Sequence, residues 1–175
     1  MESLSVRAAQ PDDVAAMLAI YNDVIATSTA IYSTQPSTLD ERRAWFNTRI
    51  GSGFPVLAAV NGGDFVGYAS FAEFRGAWPG YRHSVEHSVY VRADHRQQGA
   101  GSALVRALFP LAAALGKHVM IGGIDAANDG SLRMHERLGF ERVAHFREVG
   151  RKFGRWLDLV FVQRFIDAQG ALRTD

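Results

Sequence analysis

The chain has 175 residues, the size of a single domain that can bury a core without staples. Its composition, 47% hydrophobic and 21% charged, is that of a globular protein, and a net charge of +1 gives no electrostatic case for nucleic acid or an anionic membrane as partner. Cysteine is absent, which excludes disulfides, thiolate nucleophiles and cysteine-based zinc sites and fits a cytoplasmic location.

The opening MESLSVRAAQPDD has no basic region and no long apolar stretch, so neither a signal peptide nor a transmembrane span is expected. Leu4 to Ala8 alternates and predicts a first strand. Pro11-Asp12-Asp13 suits a first helical turn, with proline at the start and carboxylates near the positive end of the dipole. Val14, Met17, Leu18, Tyr21, Val24 and Ile25 then repeat at helical spacing. Thr27 to Gln35 is a polar loop holding Ile31 and Tyr32. Thr38 and Glu41 form a capping-box pattern for a second helix running to about Ile50, stopped by Gly51.

Pro55 to Val60 and Phe65 to Phe74 are apolar runs joined by Asn61-Gly62-Gly63-Asp64, a strong hairpin signal. Glu73 to Arg82 is a loop rich in glycine, tryptophan and arginine, and Val85 to Val91 is the next strand. Gly99 to Leu115 is helical, with Gly116 as its stop. Pro110 removes the bond to the Arg106 carbonyl, so a kink or split is expected there. His118 to Ile124 predicts a strand, Asp125 to Gly130 a turn, and Ser131 to Leu138 a short helix closed by Gly139. Glu141 to Val149 and Arg155 to Phe165 predict a terminal antiparallel pair across Arg151-Lys152-Phe153-Gly154, followed by a polar tail from Asp167. The order β-α-α-β-β-β-α-β-α-β-β predicts one α/β domain over residues 1–175, core from about 4 to 166, with helices on both faces of the sheet.

The stretch Ser84 to Leu104 organises the rest. A strand, a short polar loop and a helix opened by Gln98-Gly99-Ala100-Gly101 place free backbone N–H groups at a helix N-terminus, which favours phosphate. Gly99 and Gly101 let a ligand approach the backbone closely, and Arg96 adds a positive charge at the mouth. The third glycine of a dinucleotide fingerprint is missing, because Leu104 stands there, and the Gly-Lys-Ser/Thr of a P-loop is also absent. What remains is Arg96-x-x-Gly99-x-Gly101.

With Val89-Tyr90-Val91, Asn128-x-x-Ser131 and Leu138-Gly139-Phe140, this pattern resembles the GNAT acetyltransferase superfamily. More narrowly, Val85 to Val91 (VEHSVYV), His135 to Phe140 (HERLGF) and Gly150-x-Lys152-x-Gly154-x-Trp156-x-Asp158 resemble its phosphinothricin acetyltransferase branch, as do Ile20-Tyr21-Asn22 and Thr29 to Tyr32. The resemblance implies a mixed, largely antiparallel sheet of about seven strands whose two middle strands splay around acetyl-CoA. It implies transfer of acetyl to the primary amine of a small amino-acid-like substrate such as phosphinothricin, methionine sulfoximine or methionine sulfone. It also implies a homodimer. On the likeness, Val89, Tyr90 and Val91 meet the pantetheine arm. Arg96, Gln97, Gln98, Gly99, Ala100, Gly101 and Ser102 cradle the pyrophosphate, and Asn128 and Ser131 close in from the other side.

Amide formation from a thioester needs a neutral amine and a protonated leaving thiolate. Glu86, on the strand before the cofactor contacts and on the same face as Ser88, is the candidate base. His135 is the candidate acid, where most of the superfamily uses tyrosine. Arg75 and Arg82 are candidates to grip a substrate oxyanion, with Tyr32 and Trp78 as pocket walls. His83 and His87 would stand roughly 13 Å apart on a strand, too far to share an ion, so no metal is expected. The alternatives are an acetyltransferase for a protein N-terminus or another small amine, and an acetyl-CoA-binding module without catalysis.

Overall fold

The computed structural model describes residues 4–166; the expected polar tail lies outside them. The seven strands form one sheet in the order β1-β2-β3-β4-β5-β7-β6. They are β1 (Ser5–Ala8), β2 (Val56–Asn61), β3 (Asp64–Glu73), β4 (Ser84–Val91), β5 (Val119–Asp125), β6 (Glu141–Lys152) and β7 (Arg155–Phe165). The helices are α1 (Val14–Thr27), α2 (Leu39–Gly51), α3 (Ala100–Ala114) and α4 (Asp129–Arg137). All pairings are antiparallel except β4 with β5. Among the described residues no helix is long and apolar enough to cross a membrane.

The alternation in each strand splits the core in two. Leu57, Phe71, Val85, Met120 and Val162 face α3 and α4, packing on Leu104, Leu108 and Leu132. Val56, Ala58 and Tyr68 face the other way, onto Val14, Met17 and Val24 of α1 and Phe46 of α2. The expected capping box opens α2: Glu41 N–H donates to Thr38 Oγ1 at 3.2 Å, and Thr38 N–H donates to the Glu41 carboxylate at 2.7 Å. Asn61 and Asp64 pair across the predicted hairpin turn.

Three local features differ from the expectation. Pro11–Asp13 is a separate 3-10 turn before α1 rather than its first turn. The helix α3 runs unbroken through Pro110. Arg106 and Pro110 are both exposed, so the carbonyl that loses its donor faces water. Finally, β6 continues to Lys152 through an irregularity between Phe146 and Gly150, where Glu148 takes a φ of +52°. The Asp158 carboxylate accepts the displaced Glu148 N–H at 2.8 Å and contacts His145 Nε2 at 2.8 Å. These bonds to the carboxylate hold the Asp158 pKa below its ordinary value.

The β6–β7 hairpin anchors the loop between α1 and α2. Lys152 is buried, and its Nζ donates to the carbonyls of Ser28 and Ile31, both at 2.7 Å. The Tyr32 hydroxyl donates to the Asp158 carbonyl at 2.8 Å. The Tyr32 ring fills the space that a side chain at Gly150 would need: a Cβ there would collide with Cδ2 and Cε2 of the ring. Lys152→Met leaves two carbonyls unpaired and is expected to lower stability by about 1–3 kcal/mol, read from the urea midpoint at constant m. An unchanged midpoint would mean that the loop is held by other contacts.

Candidate active site

The site lies where β4 and β5 part. The two strands pair only through Ser84–Val119, Val85–Met120 and Glu86–Ile121. Beyond that point β4 stays with β3 as far as Val91, and β5 stays with β7 as far as Asp125. The gap holds a cavity of about 210 Å³ lined by Glu86, Ser88, Tyr90, Gly123, Asp125 and Asn128, with His87 and His135 at its base. A larger cavity of about 900 Å³ adjoins it, sharing Ala30, Val89, Tyr90, Asn128 and Ser131.

Glu86 stands at the mouth of the gap. Its residue is exposed at one edge, yet enough protein surrounds the carboxylate that desolvation raises its pKa. No hydrogen bond from the described residues satisfies it. Its Oε1 lies over Gly123, where an added Cβ would approach to 3.4 Å. A poorly solvated, unpaired carboxylate is a stronger base than an exposed one and suits proton abstraction from an ammonium or amine.

The larger cavity is walled by the predicted glycine turn. Gln97 and Gly99 take φ values of +62° and +92°, which turns successive amides toward one side. Among the described residues none of the amides from Gln97 to Ser102 donates to a backbone carbonyl. Arg96 Nε reaches the Val91 carbonyl at 3.3 Å, which sets the guanidinium beside the strand end. Gly101 sits against α4: a Cβ there would come within 3.1 Å of the Met134 sulfur. Asn128 caps α4 by accepting the Ser131 N–H at 3.1 Å. Arg133, Arg137 and Arg155 line this cavity as well, and the sequence reading missed them. The i, i+4 spacing of Arg133 and Arg137 put them on one helix face, but only the fold shows which face meets the turn. Amides that no backbone carbonyl takes and four arginines line this cavity, a chemistry suited to an anion.

His87 was weighed from sequence only as a metal ligand. Both its ring nitrogens are engaged: Nδ1 with the Ile121 carbonyl at 2.8 Å and Nε2 with Nε2 of His135 at 2.9 Å. His135 is likewise buried, with Nδ1 2.8 Å from the Ser131 carbonyl and 3.4 Å from the Ser131 hydroxyl. The ring of His87 also packs on Phe140. His83 instead contacts the Gly116 carbonyl at 3.0 Å. No group of three or more metal-ligating side chains occurs among the described residues.

The structure does not bring the expected substrate-binding residues into either cavity. Arg75 is exposed, with a φ of +51°, and lies over the Tyr81 ring. Arg82 is exposed and its guanidinium turns back to the Pro79 carbonyl. Trp78 is exposed. Tyr32 is a tether rather than a wall, and burial pushes its phenol up to about 12, keeping it a neutral donor.

Residues 17–140 match the model of the acetyltransferase (GNAT) family. The chain is 46% identical over 166 residues to the L-methionine sulfoximine/L-methionine sulfone acetyltransferase of Pseudomonas aeruginosa, covering 94% of this chain and 96% of that one. It is 45% identical over 164 residues to the L-amino acid N-acyltransferase MnaT of Escherichia coli, covering 94% and 95%. The phosphinothricin acetyltransferase of Sinorhizobium meliloti, solved in complex with acetyl-CoA, superposes with a TM-score of 0.91 at 33% identity, covering 98% of this chain and 93% of that one.

The seating of His87 depends on Gly122, where a Cβ would come within 2.7 Å of the imidazole Cε1. The ring is held at both nitrogens and cannot swing aside. Gly122→Ala is expected to cost about 1–3 kcal/mol by overpacking, seen as a lower thermal midpoint. A variant as stable as the parent would mean that the ring relocates freely.

Proposed function

This chain belongs to the GNAT acetyltransferase family, and we propose that it transfers the acetyl group of acetyl-CoA to the primary amine of a small amino-acid-like substrate of the methionine sulfone or sulfoximine type. The observation that carries this reading is the parted pair of strands, with a desolvated carboxylate at one end of the gap and an anion-binding turn at the other. The amides of Gln97 to Ser102, with Arg96, suit a pyrophosphate; Val89 and Val91 offer backbone groups on the edge that β5 has left, and Asn128 faces them across the gap.

The co-substrate supplies an activated thioester carbonyl. Glu86 takes the proton from the attacking amine, directly or through water, while a backbone N–H of β4 polarises the carbonyl. A cavity of about 210 Å³ admits a small amine rather than a folded partner. Arg75 and Arg82 lie outside that cavity. Their position favours, as a second reading, a peptide N-terminus entering from the mouth.

A second copy of the chain is the proposed partner. The strand β6 is the last in the sheet. It and the adjoining turn and β7 expose Val143, Phe146, Val149, Phe153 and Trp156. An apolar, aromatic-rich sheet edge is the kind of surface that pairs with its own copy. Sedimentation should give a dimer that Phe153→Asp with Trp156→Asp dissociates; a monomeric parent would end this proposal.

Thiol release with a panel of amines tests the activity. Methionine sulfone or sulfoximine should exceed simple alkylamines and peptides by at least about tenfold in kcat/KM, or roughly 1.4 kcal/mol. Release with peptides alone favours the second reading, and release with no amine despite calorimetric binding of acetyl-CoA leaves a binding module. Glu86→Gln should lower kcat by about 10²-fold or more with acetyl-CoA affinity unchanged. Because the base works ionised and its pKa is raised, activity should fall as pH drops through a value above the ordinary glutamate range. An acid limb at or below that range would remove Glu86 as the base.

A further inference from the structure

The buried His87–His135 contact constrains where protons can sit. The four ring nitrogens make three close contacts: to the Ile121 carbonyl, to each other, and to the Ser131 carbonyl, at 2.8, 2.9 and 2.8 Å. Carbonyl oxygens only accept, so filling all three contacts takes three protons, whereas two neutral imidazoles carry two. Burial opposes the third proton, lowering the pKa of His135 and pushing His87 down to about 3, so the resting pair is neutral.

Four neutral arrangements exist, and the one with both protons on Nε2 falls at once because two N–H groups would face each other. With a proton on each Nδ1, two lone pairs face each other at the Nε2 atoms. With His87 protonated at Nε2, its bare Nδ1 faces the Ile121 carbonyl, and no donor relieves it among the described residues. With His87 protonated at Nδ1 and His135 at Nε2, the one bare nitrogen left over is Nδ1 of His135. That atom has a donor in reach, the Ser131 hydroxyl at 3.4 Å. This last arrangement leaves that nitrogen bare beside the Ser131 carbonyl, as the one before leaves Nδ1 of His87 bare beside the Ile121 carbonyl, but it alone gives the bare nitrogen a donor.

We infer that His87 is a positioning residue. Anchored by the Ile121 carbonyl, it presents a bare Nε2 that forces His135 into the Nε2–H tautomer and makes Nδ1 of His135 the nitrogen that takes up and returns a proton across the Ser131 hydroxyl. Ser131 lines both cavities, so this exchange opens onto the gap, while Nδ1 of His87 at the other end of the pair is held by the Ile121 carbonyl.

The assignment stands on the hydrogen-bond geometry together with the burial of the pair; its use in the reaction rests on the acetyl transfer proposed above. In that reaction the amine nitrogen forms the new C–N bond and gives a proton to Glu86. The C–S bond breaks and its electron pair stays on sulfur. A proton from solvent, relayed through the Ser131 hydroxyl, first loads Nδ1 of the neutral His135; the sulfur then takes the Ser131 hydroxyl proton as Ser131 takes that proton back from Nδ1–H. His135 is left neutral as the Nε2–H tautomer and reloads from solvent through the same hydroxyl.

The test is long-range ¹⁵N–¹H correlation NMR of the full chain with labelled histidine, the His135 signal being assigned by its loss in His135→Asn. At neutral pH the parent should show His135 protonated at Nε2 and bare at Nδ1, and His87 the reverse. A His135 protonated at Nδ1 in the parent overturns the inference, whether or not the protein acetylates any amine. His87→Phe should switch His135 to the Nδ1–H tautomer. His87→Gln, which can still donate to Ile121 and accept from His135, should restore the Nε2–H form. If the tautomer switches in His87→Phe but kcat stays within twofold rather than falling about tenfold or more, the positioning role in proton delivery is overturned while the tautomer assignment stands.

Discussion

The parting of β4 from β5 after three residue pairs is the constraint on which the rest of the structure depends. A sheet that divides in its middle strips backbone donors and acceptors of their partners, and leaving such groups buried and unpaired costs about 1–3 kcal/mol each. The molecule answers this in two ways. At the fork, the carbonyl of Ile121, in the last residue pair of the β4–β5 ladder, also meets the imidazole of His87 at 2.8 Å. Further along, the inner edges of Val89 to Val91 and of Gly122 to Asp125 are left open onto the cavities, where solvent or a ligand's own amides can pair with them. The fold and the site are therefore the same feature: what interrupts the sheet makes room for an extended, amide-bearing co-substrate.

Small residues keep that opening usable. Gly122 and Gly123 follow Ile121 directly, one clearing the His87 ring and the other clearing Glu86 and Phe161. Side chains at these two positions would fill the fork from opposite faces, since successive residues of a strand point to opposite sides. On the far wall Gly101 lets the N-terminus of α3 come up to α4, which brings the free amides and the arginines of α4 to one cavity. A chain of net charge +1 thus concentrates Arg96, Arg133, Arg137 and Arg155 around one cavity, a local field that the overall balance conceals.

Most of the scaffold was legible because it is written in short-range signals. Alternation and short apolar runs placed the strands, and the capping box of Thr38 and Glu41 and the turn Asn61 to Asp64 fixed element ends. The left-handed turn at Gly99 before α3 was legible from residue order. What escaped depends on partners distant in the chain. Lys152 looks like a turn lysine until its carbonyl partners, 121 and 124 residues away, are known. His87 reads as one more inward residue of a strand, and its partner His135 lies 48 residues on. Arg75 and Arg82 were expected at the pocket because charge near a candidate base suggests a clamp. Their loop has few apolar residues facing the core, and its conformation follows tertiary contacts that no periodicity records.

The two faces of β4 divide the chemistry. Glu86 and Ser88 point one way, toward the mouth and the loop that Lys152 and Tyr32 hold down. Val85 and His87 point the other way, into the core under α3 and α4. A base must exchange protons with solvent and reach a bound amine, so it belongs on the open face, where partial desolvation can raise its affinity for a proton without sealing it off. A group that sets the tautomer of another must not exchange at all, and it belongs on the closed face. One strand, through its two-residue period, supplies both environments at adjacent positions, an exposed Glu86 and a buried His87 lining one cavity.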